Sequence, residues 1–325
     1  MKRNVRLLLA VVVATTTASC TPPEGSSAIE CIAPAGPGGG WDRACRTAAG
    51  ALAELDLVPG AIRTVNVLGA GGGIGYAHVV SDRATDPNVF AGASPATTLR
   101  LAQGQFGQLT VTDVRWLGAV GAEYGVLAVR ADAPWRSASD FIAAWRADPH
   151  SIVVNGVSAV LGQDHVKTLL LARAAGLDPK SVRYVPFDGT GDALAAVLGG
   201  FVDVYSGEES EIAPLVEAGE LRALVILAPE RVEGVLSTVP TATELGYPVE
   251  WVAWRGYYVP KGISEAQYEL WVDRLTRMTE AEHWDVALRR AGLRRYSLIG
   301  PEFEAFVTAQ VTEFRGLARD LGMIE

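Results

Sequence analysis

The chain has 325 residues, 49% of them apolar and 20% charged, with a formal charge of −9 at pH 7. That balance is globular rather than disordered, and the length allows two domains that each bury a core. An acidic chain with so few lysines is a poor match for nucleic acid or an anionic membrane surface, so a bound anion must rely on local dipoles and a few arginines.

Lys2, Arg3 and Arg6 precede the apolar run 7–13, and small residues then lead to Cys20. A positive start, an apolar stretch too short to span a bilayer and that small-residue end read as an export signal over 1–19. It resembles a bacterial lipoprotein signal with Cys20 as the lipid-bearing residue, although Thr17 stands where such signals carry Leu or Val. An ordinary secretory peptide with a free product is the alternative. Residues 20–27, with Pro22, Pro23 and Gly25, read as a tether. The product is expected outside the cytoplasm, anchored to the cell membrane by lipid. Loss of the three leader cations takes its formal charge from −9 to −12.

Next, the apolar segment 29–33 runs into Pro34-Ala-Gly-Pro-Gly-Gly-Gly-Trp-Asp42, after which Ala44, Ala48, Ala51, Leu52 and Leu55 recur with helical spacing. Strand, glycine turn and helix together aim unpaired N–H groups, backed by the helix dipole, at an anion. Glycine lets a ligand approach the main chain closely. A second such turn, Gly69-Ala-Gly-Gly-Gly-Ile-Gly75, follows the run 62–67. Cys31 falls on the first strand and Cys45 on the helix beyond it. A strand and a helix packed on it lie about 10 Å apart, more than a disulfide spans, so two buried free thiols are at least as good an expectation as a bridge.

Further strands are expected at 89–91, 115–117, 151–154, 182–185, 202–205 and 221–227. Helices are expected at 138–146, 164–175, 192–198, 212–218, 265–279, 282–291 and 301–321, with Ser137, Ser264 and Gly300-Pro301 at helix starts. The alternation predicts an α/β fold with largely parallel sheets. Two longer β-rich segments, 123–130 and 249–260, interrupt it and read as strands crossing between two α/β domains. Residues 28–122 plus 256–325 then form lobe one and 123–255 lobe two, with a cleft between them.

Neither glycine turn fits a dinucleotide fingerprint, because the third required glycine is replaced by Trp41, Arg43, Ile74 or Tyr76 in the possible frames. No lysine is placed for a phosphate loop. Ser94, in Gly92-Ala-Ser-Pro-Ala96, is a near miss for a nucleophile elbow and reads as a hydroxyl donor or a helix cap. His78, His150, His165 and His283 show no metal-ligand spacing, so no metal is expected. His165 reads as structural, in the core or paired with Asp164, and Asp42 as a helix cap or a ligand contact. Glu123, Tyr124, Trp254 and Arg255 sit on the crossing segments, within reach of a cleft ligand from either lobe. Arg255 is either a fork for a carboxylate or the ion-pair partner of Glu123 or Glu208.

Several of these pieces occur in one order: Ala33-Pro-Ala-Gly-Pro-Gly-Gly-Gly-Trp-Asp42 with Arg46, the second glycine turn, Gly162-Gln-Asp-His165, Val185-Pro-Phe-Asp-Gly189 and Leu198-Gly-Gly-Phe-Val-Asp203. Ala218-Gly-Glu-Leu-Arg-Ala-Leu224, Val239-Pro-Thr241 with Glu244-Leu-Gly-Tyr247, and Trp254-Arg-Gly256 complete the set. The pattern resembles the extracytoplasmic receptors of tripartite tricarboxylate transporters. The resemblance implies a two-lobed, periplasmic-binding-protein type II-like fold that closes on a small carboxylate. It implies that two turns hold one carboxylate through main-chain N–H groups and waters. Here these are Ala35, Gly36, Gly38, Gly39, Gly40, Trp41 and Asp42 in the first, and Gly156, Ser158, Gly162, Gln163 and Asp164 in the second. Ala35 stands where many members carry an aromatic residue, and Leu68 replaces a proline.

The resulting expectation is a monomeric, non-enzymatic receptor without a cofactor. It would capture a di- or tricarboxylate and deliver it to a permease of one small and one large integral membrane subunit. The alternatives are an exported serine hydrolase using Ser94, and a ligand-binding sensor for a signalling partner.

Overall fold

A computed structural model describes residues 28–322 and Ile324. The predicted leader, Cys20 and the tether lie outside the described residues. The chain begins with β1 (Glu30–Ala33), α1 (Gly40–Glu54), β2 (Arg63–Asn66), α2 (Gly73–Ser81), β3 (Val89–Ala93), α3 (Pro95–Ala102) and β4 (Val114–Arg130). It continues through α4 (Ala138–Ala147), β5 (Val153–Gly156), α5 (Gln163–Ala174), β6 (Arg183–Pro186), α6 (Thr190–Leu198), β7 (Val204–Glu208), α7 (Glu209–Glu217) and β8 (Leu221–Leu227). It closes with β9 (Val252–Pro260), α8 (Glu265–Glu280), α9 (Glu282–Arg290), β10 (Leu298–Ile299) and α10 (Pro301–Asp320).

Local chemistry accounts for several boundaries. Ser137 and Ser264 start α4 and α8 by accepting from the N–H groups of Asp140 and Gln267 at 3.1 and 3.3 Å. The expected strands 115–117 and 123–130 are one 17-residue strand, β4. Gly118 and Gly121 look like breaks in the sequence, but here they admit neighbours. A Cβ at Gly121 would lie 2.6 Å from the Leu288 side chain.

β4 belongs to two sheets. Up to Tyr124 it pairs with β9 and β10, in a sheet that runs on through β3, β1 and β2. From Gly125 it pairs with β7 and β8, and β5 and β6 extend that second sheet. The sheets are mixed rather than largely parallel. The β1–β2, β1–β3, β5–β6 and β5–β7 pairs are parallel, and every pair involving β4 or β9 is antiparallel. The reason is topological: a chain that leaves one sheet on β4 and re-enters beside it on β9 must run the other way.

The core of the first sheet packs Tyr76, Trp116 and Tyr258 on one face and Phe90, Tyr257 and Trp271, under α1 and α8, on the other. Trp254 is fully buried. Its ring meets Phe303 edge-on at 5.2 Å and its Nε1 donates to Gln310 at 3.2 Å.

Cys31 and Cys45 form a disulfide, contrary to the distance expectation, with their Cα atoms 5.7 Å apart. The separation of a helix from a sheet is measured to its axis. Cys45 is on the face of α1 turned to β1, and a Cα there lies about 2.3 Å nearer than the axis. Closing a loop of 14 residues is worth about 3 kcal/mol in the chain-entropy account.

Candidate functional site

In an α/β sheet the loops beyond the carboxyl ends of parallel strands are where ligands bind. Here those loops from both sheets open on one cleft of about 850 Å³. After β1 it is lined by Ala35 to Trp41 and Arg43, after β2 by Gly71, and after β3 by Ser94, Ala96 and Arg100. Opposite stand Val157 to Ala159, Gly162 and Gln163 after β5, Asp188 to Thr190 after β6, and Glu208, Ser210 and Glu211 after β7. Arg255 on β9 completes the wall.

The helices that follow these strands point their N-termini at the cleft. α1, α5 and α6 begin after Gly39, Gly162 and Gly189, none of which supplies a side-chain cap. All three N-caps line the cavity, so three sets of orphan N–H groups and three positive dipole ends converge on it. α3, in contrast, is capped: Ser94 is buried and its Oγ accepts from Ala96 N–H at 3.2 Å.

Two aspartates shape the turns from behind. Asp42 is 2% exposed and accepts from Gly38 N–H at 2.8 Å, from Asn66 at 2.9 Å and from both branches of Arg46. Burial alone would raise its pKa, but these hydrogen bonds, led by Arg46, bring it down to about 2. Asp164, 0% exposed, braces the turn in the other sheet, accepting from Val157 and Ser158 N–H at 3.0 and 2.9 Å. Gly156 is required beneath it, because a Cβ would lie 2.6 Å from both Asp164 Cβ and the Ser206 carbonyl oxygen. Asp42, Asp164 and Gly156 therefore stand behind the cleft wall rather than in it.

A buried charged network underlies the wall. Lys167, 0% exposed, donates to the Gly207 carbonyl at 2.7 Å and pairs with Asp164 at 2.9 Å and Glu208 at 3.1 Å. Burial, and after it the neighbouring Asp164, Glu211 and Glu123, pushes the Glu208 carboxyl up, against the pull of Lys167. Arg255 Nη2 donates to Glu123 at 2.5 Å, and the other oxygen of Glu123 accepts from Ser210. Glu211 accepts from Thr190, Tyr205 and Glu208 N–H.

Of the residues singled out in the sequence, Ala35, Gly36, Gly38, Gly39, Gly40, Trp41, Ser94, Ser158, Gly162, Gln163, Glu208 and Arg255 come together around the cavity. Glu123 touches it only through Arg255 and Ser210. Tyr124 packs on the core beneath α7, and Trp254 in the core under α10. His165 is not paired with Asp164; it accepts from Leu161 N–H at 3.0 Å and stacks on Tyr184, and burial lowers its pKa to about 4. The sequence reading missed Arg43, Arg100, Asp188, Thr190, Ser210 and Glu211. Asp188, Thr190, Ser210 and Glu211 follow closely on the ends of β6 and β7, whereas Arg43 and Arg100 lie within α1 and α3, so only the packing of those helices brings them to the cavity.

The profile of the tripartite tricarboxylate transporter family receptor, TctC, matches residues 62–322. Protein BugT of Bordetella pertussis (strain Tohama I) is 26% identical over 330 residues, covering 98% of each chain. The structure of MatC from Rhodopseudomonas palustris with bound malate superimposes with a TM-score of 0.73 at 24% identity, covering 89% of this chain and 98% of that one. R. palustris Rpa4515 with adipate gives 0.77 at 24% identity, covering 91% and 97%. The fold is the mixed α/β periplasmic-binding-protein type II fold. With the Ser94 hydroxyl engaged as a helix cap, the hydrolase alternative falls away. The chain belongs to the tripartite tricarboxylate transporter receptor family, whose members are non-enzymatic extracytoplasmic solute receptors.

Proposed function

We propose that this receptor captures a small di- or tricarboxylate in the cleft and delivers it to a permease of one small and one large integral membrane subunit. The observation that carries the proposal is the convergence of three glycine-started helix N-termini on one cavity. One carboxylate is held by main-chain N–H groups of the turns before α1 and α5, with Ser158 and Gln163 beside it. Arg255, braced by Glu123 behind Gly40, adds positive potential under the first turn. Residues 28–122 with 256–325, and 123–255, act as the two lobes that enclose the ligand. The malate and adipate bound by relatives of the same fold support a carboxylate.

Thermal unfolding with and without a panel of carboxylic acids tests this. At a hundred times its dissociation constant, the true ligand should add about 2.7 kcal/mol of stability. If no acid in the panel raises the unfolding temperature, the carboxylate assignment fails.

We also propose that Cys20 carries the lipid anchor, on the pattern of small residues before it and a polar tether after it. Cys20→Ser should move the protein from the membrane fraction to the soluble extracytoplasmic pool. A wild-type protein already wholly soluble would refute the anchor.

A further inference from the structure

The three arginines of the cleft wall, Arg43 on α1, Arg100 on α3 and Arg255 on β9, all belong to the first sheet and its helices, but they are not equivalent. Arg255 is buried, with one Nη committed to Glu123, and Arg43 is exposed at the rim. Arg100 is half-buried and makes no ion pair among the described residues, donating instead to the neutral amide oxygen of Gln105. A guanidinium that faces a partly shielded cavity without an anionic neighbour is a natural receptor for a carboxylate fork. Burial pulls its pKa down, a cost that an incoming carboxylate would offset.

The second glycine turn explains how Arg100 is placed. Gly71 has φ +60°, and a Cβ there would lie 3.2 Å from Arg100 Nε. Gly72, at φ +98°, presents the same bare backbone to Trp41, whose Cη2 would lie 3.1 Å from a Cβ. The turn is thus a bare-backbone platform against which Arg100 and Trp41 pack beside the cavity. Further along α3, at its C-terminal end, Gln103 Nε2 donates to the Leu161 carbonyl at 2.8 Å, which ties the Arg100 side of the wall to the turn before α5.

We propose that Arg100, laid over the Gly71–Gly72 platform, selects ligands that carry a second carboxylate by forking it while the first sits at the α1 and α5 N-termini. This rests on the carboxylate capture proposed above.

The test is calorimetric titration of the whole protein with malonate, succinate, malate, glutarate, adipate and citrate, and with the methyl ester of whichever binds tightest that leaves a single carboxylate free. The wild type should prefer the acid to its ester. Arg100→Gln should weaken the acid roughly tenfold to a hundredfold, the worth of a charge-assisted pair, and change the ester less than about threefold. Arg100→Lys, which keeps charge without the fork, should fall between. Gly71→Val, which pushes against Nε, should lower the acid-to-ester ratio in the same direction. If Arg100→Gln folds and leaves that ratio at its wild-type value, Arg100 is not the selector, although carboxylate capture stands. If the wild type binds none of the acids, both proposals fall together.

Discussion

Lys167→Met should lower folding stability by roughly 3–5 kcal/mol, the penalty for removing one partner of a buried ion pair. The methionine keeps most of the volume, so the loss is electrostatic. Asp164 and Glu208 are 0% and 2% exposed, and Lys167 is the cation that bridges them. Asp164 also holds the turn before α5, so the variant should loosen the cleft as well as the core.

The deficit should depend on pH with a definite sign. The Glu208 pKa is already raised in the folded state by burial first and by Asp164, Glu211 and Glu123 next, and losing Lys167 raises it further. A carboxyl with a raised folded pKa contributes stability that is full below its unfolded value and is lost as pH rises through the folded one. The variant should therefore come closest to wild type near pH 5 and fall further behind as pH rises past about 8, where Glu208 of the wild type ionises. Urea denaturation near pH 5 and on the alkaline side of that value measures this. A deficit under about 1 kcal/mol, or one that ignores pH, would show that the network does not stabilise the fold in this way.

Gly39→Val should reduce affinity for the acid found in the panel by at least about a hundredfold, since it denies the ligand two or more charge-assisted main-chain contacts. Backbone strain is not the cause, because Gly39 has φ −67° and ψ 164°, open to any residue. The cause is space. A Cβ there would already lie 3.1 Å from Ala35 Cβ and from the Gly36 carbonyl oxygen, and two further methyls would occupy the approach to the α1 N-terminus. Overpacking of this kind costs about 1–3 kcal/mol, so the variant should fold. Gly39→Ala should bind with an intermediate affinity. Unchanged affinity in the valine variant would move the carboxylate away from this turn.

Much of this protein follows from local chemistry that any reader of the chain can apply. Ser137 and Ser264 announce α4 and α8, and the glycine turn before Trp41 announces an anion-receptive helix start, because capping and turn geometry depend on residues only a few positions apart. What depends on distant partners stayed hidden. The Cys31–Cys45 bridge depends on which face α1 turns to β1, and the unity of β4 depends on neighbours that fill the space at Gly118 and Gly121. Asp42 and Asp164 were legible as polar groups near the site, but their direction, back into the turns rather than out to the cleft, is set by hydrogen bonds within each turn. Arg255 and Arg100 show the same division. Both are arginines near a strand or helix end, and only the fold gives one of them Glu123 and leaves the other, over Gly71, without an acid partner among the described residues. Charge in a sequence is a property of a residue, whereas an unpaired charge is a property of its neighbours in space.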